Sequence, residues 1–281
     1  MNYRDVYARL GLTDLDDPKY QICLALDKMS RDQVLRTCEQ LGPHVGQVKI
    51  GPKSQHRDGG LMLVRDVEAI LGPGRIFYDD KVKNTPDELG ELAAEMAAEP
   101  GIAMFNYHID SAPEATAAVI ANRGDKIDLG LTVLTTLKPA TVIKYYKRTA
   151  LTMVKLFATE AAELGARGVV CSAREAKMLL SKPATANLLL VTPGIRPKWS
   201  AVGQQVRVMT PYDAIQVGGD SMILVIGSPI NSSKKYGFAT PVDAIKAIVE
   251  EIWKARERRE RSLARKLAKD LPAQLALALV R

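Results

Sequence analysis

Cysteine, histidine and aromatic side chains are all scarce in this 281-residue chain, and each shortage removes a class of protein. Cys23, Cys38 and Cys171 are odd in number and show no CxxC spacing, so neither a disulfide framework nor a zinc site is expected. A reduced, cytoplasmic setting follows. Aromatics make up 5% of the residues and none interleaves with the basic run near the C-terminus, which weakens the case for base stacking, so no nucleic-acid partner is expected. No apolar run approaches the length needed to cross a bilayer, so no membrane role is expected. The first residues, Met1 to Tyr7, mix charges and lack the apolar stretch of a signal peptide.

Hydrophobic residues at 47% and charged residues at 25% are ordinary for a globular protein with a full core. The net charge of +7 is concentrated late, in the run Lys254, Arg256, Arg258, Arg259, Arg261, Arg265 and Lys266. Such a run reads first as the solvated face of a helix. Residues 253–281 are therefore expected to be a basic helical extension, appended to a domain spanning 1–252 and packing on its exterior or on a neighbouring subunit.

Within 1–252, short apolar runs recur. Ile22–Leu26, Gln47–Ile50, Arg75–Tyr78, Ile102–Phe105, Ile127–Val133, Gly168–Cys171, Leu188–Thr192 and Met222–Ile226 are each rich in Val, Ile or Leu, the pattern of strands buried on both faces. Between them, Arg31–Leu41 (with Ser30 as its cap), Glu88–Ala98, Ala112–Asn122, Leu151–Leu164 and Ala173–Leu180 carry helical spacing. Eight strand–helix units in this length fit a single-domain α/β fold, a closed (β/α)8 TIM barrel, better than a doubly wound sheet; there is no GxGxxG after the first strand and no Walker sequence.

In such a barrel, chemistry sits at the carboxyl ends of the strands. Those positions hold Asp27, Lys49, Asp79 with Lys81, Asn106 with His108, Thr135, Pro193 to Arg196, and Gly227 with Ser228. Asp79 and Lys81, two apart, lie on one side of a strand. A structural salt bridge is the plain alternative, but with Lys49 on the preceding strand a Lys–Asp–Lys array forms, holding charge in place before a substrate arrives. Lysines repel a divalent cation and the set contains few metal ligands, so no metal is expected. His108 reads as a hydrogen-bonded barrel residue, Asp110 as a solvated loop acid, and His44 and His56 as surface residues.

Several segments, taken in order, resemble the orotidine 5′-phosphate decarboxylase family. They are Leu24 to Asp27, Val48 to Gly51, Asp79 to Lys81, Thr132 to Thr135, Gly168 to Ala173, Val191 to Pro197, Arg207 to Pro211 and Ile226 to Ile230. The resemblance covers most of residues 20–252 and implies decarboxylation of orotidine monophosphate to UMP without metal or cofactor. It implies that Asp27 contacts the ribose, that Lys49 belongs to the charged array, that Asp79 faces the substrate carboxylate and that Lys81 protonates the C6 carbanion. Thr135 and Pro193 would lie along the nucleoside, while Arg196, Gln205 and the Gly227 backbone would grip the phosphate. A homodimer with shared sites is also implied.

Two positions depart from the family pattern. Asn84 stands where the family has a second aspartate that reaches into the partner's site, which removes one negative charge and leaves the array net positive. Ser228 stands where the family has a phosphate-binding arginine, a loss of roughly a few kcal/mol of binding. Lys198, Lys234 or Lys235 could compensate only as point charges. Two other readings fit the same residues: a barrel acting on a different nucleotide or nucleoside, and a non-catalytic nucleotide-binding or structural relative.

Overall fold

Each of the eight apolar runs becomes a parallel strand: β1 (Ile22–Ala25), β2 (Gln47–Ile50), β3 (Ile76–Val82), β4 (Ile102–His108), β5 (Ile127–Leu131), β6 (Gly168–Val170), β7 (Leu189–Thr192) and β8 (Met222–Ile226). They pair in chain order, and β8 closes onto β1 to complete a barrel. The structure is a computed structural model that describes residues 1–8, 15–57, 59–200 and 207–270.

Side chains alternate across each strand, so every second residue points into the barrel. Ala25, Lys49, Phe77, Met104 and Ile127 align through the ladder from β1 to β5. Cys23, Ala25, Phe77, Met104, Leu129, Val191 and Val225 belong to the apolar filling of the interior. The alternate residues, among them Leu24, Val48, Ile76 and Phe105, pack against the surrounding helices. Lys49, Asp79 and Asn106 are thus inward positions at the top of the filling, which is why charge appears within otherwise apolar strands.

Strands β3 and β4 run beyond the apolar segments that mark them in the sequence, to Val82 and His108. Hydrophobicity stops at Asp79, but hydrogen bonding does not: Val82 pairs with Tyr107 after an irregularity that begins at Tyr78.

The helices expected between strands form at Arg31–Leu41, Pro86–Ala98, Pro113–Asn122, Ala150–Glu163 and Ala173–Leu180. Ser30 caps the first, with Gln33 reciprocating as a capping box that satisfies two backbone N–H groups. Helices at Leu61–Leu71, Pro139–Tyr146 and Pro211–Gly218 complete the ring. The first of these buries Leu63, Val64 and Val67 on one face and carries Arg65, Asp66 and Glu68.

A single helix runs from Pro241 to Asp270, passing through position 252 without a break. Ile245, Ile248, Ile252 and Ala255 are buried against the barrel. Arg256 is buried as well, donating to Gln21 Oε1 at 2.8 Å and to the Asp16 carbonyl at 2.7 Å, while Gln21 donates to the carbonyls of Gly219 and Met222. Part of the basic run is therefore an internal fastening of helix to barrel floor. Among the described residues, no helix is long and apolar enough to cross a membrane. All three cysteines are buried free thiols.

Candidate active site

Four side chains form a continuous ionic chain at the carboxyl ends of β1, β2 and β3. Lys49 Nζ donates to Asp27 Oδ1 at 2.7 Å and to Asp79 Oδ2 at 2.6 Å. Lys81 Nζ donates to Asp79 Oδ1 at 2.5 Å. The same oxygen accepts from Asn106 Nδ2 at 2.6 Å, so the Asp79 carboxylate takes three donors. The chain alternates in sign, and its middle members are the buried ones. The Lys49 and Asp79 side chains are 8% and 6% exposed, whereas Asp27 and Lys81 are 50% and 36% exposed. A ligand at the mouth would meet Asp27 and Lys81 directly, with Lys49 and Asp79 fixed behind them.

Burial alone would raise the Asp79 pKa, but the ammonium groups of Lys49 and Lys81 outweigh it and hold the carboxyl down at about 2. Lys49 is the mirror case: burial pulls it down, and Asp79 and Asp27 together push it well above the ordinary lysine value. Both buried members are ionised at neutral pH. Because Asp27 pairs with Lys49, two acids balance two amines, and the array is not net positive as Asn84 alone suggests; the balancing carboxylate comes from β1. Gly51 makes room for this pair, since a Cβ there would overlap Asp27 Oδ1.

The i, i+2 spacing of Asp79 and Lys81 does place both amine and acid together, but not through a regular strand. Lys81 has φ +58°, in the left-handed region that costs a non-glycine residue of order 1–3 kcal/mol. Asn106 holds it there: its Oδ1 accepts from the Lys81 backbone N–H at 2.8 Å while its Nδ2 serves Asp79. Asn106 stands among the strand-end residues in the sequence, yet nothing in its spacing reveals this double role. Asn106 is 1% exposed. Asn106→Ala should cost about 2 kcal/mol in urea unfolding, because two groups lose a partner in a site that water cannot easily replace. An unchanged midpoint would show that the bridge carries no stability.

The remaining expected residues are distributed around the same rim. Thr135, just beyond β5, is buried. Pro193 and Gly194 follow β7, and Gly194 turns the chain at φ +83°. Arg196, half-buried, donates its backbone N–H to the Met209 carbonyl at 2.9 Å, and burial lowers its guanidinium pKa against the opposing influence of Tyr236. Gly227 follows β8, with Ser228 exposed after it; Asn231 in the same turn donates to the Ala25 carbonyl at 2.8 Å and ties it to β1. Lys198, Lys234 and Lys235 are exposed. Asn84 is exposed and accepts from the Thr85 backbone N–H, away from the Asp79 carboxylate of its own chain. Gln205 and the side chain of His56 lie outside the described residues. His44 is half-buried in a short turn rather than on open surface.

Asp110 is not a solvated loop acid. It is one-fifth exposed and lies 3.0 Å from Lys83 Nζ and 3.2 Å from His108 Nδ1, and it accepts from the Tyr146 hydroxyl at 3.2 Å. Sequence spacing missed this because the partners come from three different elements. Among the described residues, no group of three or more His, Cys, Asp or Glu side chains is arranged to hold a metal ion.

A parallel eight-stranded barrel with an alternating chain of amines and acids at its carboxyl rim is a (β/α)8 protein whose candidate site holds its charged groups in place before a ligand arrives. Residues 20–241 match the Orotidine 5'-phosphate decarboxylase / HUMPS family, and the chain belongs to that family. It is 35% identical over 247 residues to the orotidine 5'-phosphate decarboxylase of Coxiella burnetii, covering 85% of this chain and 99% of that one. It is 31% identical over 245 residues to the protein of the same name from Geotalea uraniireducens, covering 84% and 97%. Among solved structures, the orotidine 5'-phosphate decarboxylase of Lactobacillus acidophilus is similar with a TM-score of 0.66 at 25% identity, covering 82% of this chain and 98% of that one.

Proposed function

We propose that this chain decarboxylates orotidine 5′-phosphate to UMP, a step of pyrimidine biosynthesis, using neither metal nor organic cofactor. The observation that carries the reading is the Asp79 carboxylate, buried and ionised between Lys49 and Lys81, with Lys81 also open to the mouth. The C6–carboxylate bond breaks, carbon dioxide leaves, and the electron pair stays on C6. Lys81 then transfers one proton to C6, and solvent returns a proton to the amine. Asp79 favours the step in two ways. Its charge crowds the substrate carboxylate and is relieved as that group departs neutral, and it places the Lys81 ammonium before the carbanion develops.

In this reading Lys49 fixes Asp79, Asp27 meets the ribose while paired to Lys49, and Thr135 and Pro193 line the nucleoside. Arg196, Gln205 and the backbone at Gly227 hold the phosphate, with Ser228 in a place where a longer donor would reach further. Asn84, exposed beyond β3, is assigned to the partner's site in a homodimer. The free, buried thiols support a cytoplasmic setting. We divide the chain near residue 252, with Ala255 and Arg256 as the part of the extension that anchors it to the barrel and the side chains from Arg258 to Ala268 exposed.

Purified protein should lower the long-wavelength ultraviolet absorbance of orotidine 5′-phosphate as the ring loses its carboxylate and UMP forms; no turnover at high protein concentration would sink the reading. The double substitution Asn84→Asp with Ser228→Arg should raise kcat/KM by about tenfold or more, since one charge-assisted contact is worth about 1.5–3 kcal/mol. If only the double variant is active, the parent barrel acts on a different anionic ligand, a reading that exposed Ser228 favours. A double variant with kcat/KM equal to an active parent would remove the roles given to positions 84 and 228.

A further inference from the structure

We propose that Asp110 is a positioning residue for Lys81, fastening the irregular end of β3 to the end of β4 so that the amine stays on Asp79. The proposal rests on the role given to Lys81 above, but its geometry stands independently. Regular ladder pairing between β3 and β4 lapses after Tyr78, and Lys81 occupies the left-handed region inside that lapse. A side chain on such a backbone keeps its place only if the surroundings over-determine it.

The fastening falls on three consecutive residues, the last two of β3 and Lys83 just beyond it. Asn106 accepts from the Lys81 backbone N–H, Val82 pairs with Tyr107, and Asp110 Oδ2 takes the Lys83 ammonium at 3.0 Å. All three partners come from β4 or the turn that follows it, Ile109–Ser111. Asp110 is in turn held from one other direction and approached from a second. The Tyr146 hydroxyl, at the end of the helix Pro139–Tyr146, donates to Oδ2, and His108 Nδ1 stands 3.2 Å from Oδ1. Contact with His108, and then with Lys83, keeps this carboxyl far below the usual carboxylate range. It is a fixed negative point, and Lys83, whose side chain is 56% exposed, has it as a partner without being buried.

The expected consequence is specific. Without Asp110 the tail of β3 is held at Lys81 and Val82 only, and the left-handed turn can relax toward an extended strand. The Lys81 Nζ would then leave Asp79. Ground-state binding depends little on this amine's exact position, whereas proton transfer depends on it steeply.

The test uses the full chain with Asp110→Ala, Asp110→Glu, Lys83→Met, and the Asp110→Ala/Lys83→Met double variant. In crystals of the parent, Lys81 should show positive φ and an Nζ–Asp79 contact within hydrogen-bond range. In Asp110→Ala either the φ should turn negative or the contact should open beyond about 3.5 Å. On orotidine 5′-phosphate, Asp110→Ala and Lys83→Met should each lower kcat about tenfold or more with KM within about threefold. The double variant should be no worse than either single one, and Asp110→Glu should recover most of the rate. Should Asp110→Ala fail to fold, Lys83→Met carries the same two readouts, because its side chain lies at the surface. A variant whose Lys81 keeps both its φ and its contact overturns the proposal, whatever its rate. If the parent itself does not turn over the nucleotide, the functional reading fails, and the crystallographic comparison still decides the positioning role.

Discussion

Lys81→Ala should leave a folded barrel that no longer releases carbon dioxide from orotidine 5′-phosphate, with kcat lower by about 10⁴-fold or more. Two separate losses combine in that figure. The proton donor to C6 disappears, an effect worth typically about 10²–10⁴. One preorganised charge beside the developing carbanion disappears too, worth about 10²–10³ where it has been measured elsewhere. Stability should change little, because Lys81 is the partly exposed member of the array and Asp79 would keep Lys49 and Asn106. The informative measurement is single-turnover rate beside affinity for UMP. An alanine variant that retains turnover within tenfold of the parent would assign the proton to another group.

Asp79→Ala should have the largest effect on stability as well as abolishing turnover. The carboxylate is buried with two ammonium groups and one amide aimed at it. Removing it leaves Lys49, itself buried, with Asp27 alone, and breaking a buried pair from one side costs about 3–5 kcal/mol. That is a large share of the stability of an ordinary domain. The effect also has a pH signature. Asp79 titrates at about 2 in the folded chain and near the usual ~3.9 when unfolded, so the folded state favours its charged form. Its contribution is fully present above about pH 4 and is lost as pH falls through about 2. The stability gap between parent and Asp79→Ala should therefore be constant from neutral pH down to about 5 and narrow below 4. Urea titrations at several pH values test this, and a gap independent of pH down to 2.5 would contradict an ionised Asp79 between two lysines.

The apolar runs were sufficient for the strands because a parallel barrel buries both faces of each one, and burial leaves a compositional trace. Five of the helices were visible for a related reason, since one side of each faces the barrel. Asp79, Lys81 and Lys49 also stood out, as charges interrupting strands that otherwise exclude charge. The contacts that stay hidden in the sequence share a different cause. Asp27 pairs with Lys49 of a neighbouring strand. Asp110 reads in the sequence as a solvated loop acid, although Lys83, His108 and Tyr146 surround it. Asn106 bridges Lys81 and Asp79 across β3 and β4, 25 and 27 positions away in the chain.

Local chemistry in the chain thus settled the barrel, its rim and the identity of the charged residues there, because hydrophobic period and strand-end position are properties of neighbours in sequence. It could not settle which charge offsets which, nor that Lys81 stands on a left-handed turn clasped by β4. Those depend on distances of 2.5–3.2 Å between side chains brought together only when eight strands close into a cylinder. A hydrogen bond survives only within a narrow range of distance and angle, and no pattern along the chain encodes that geometry.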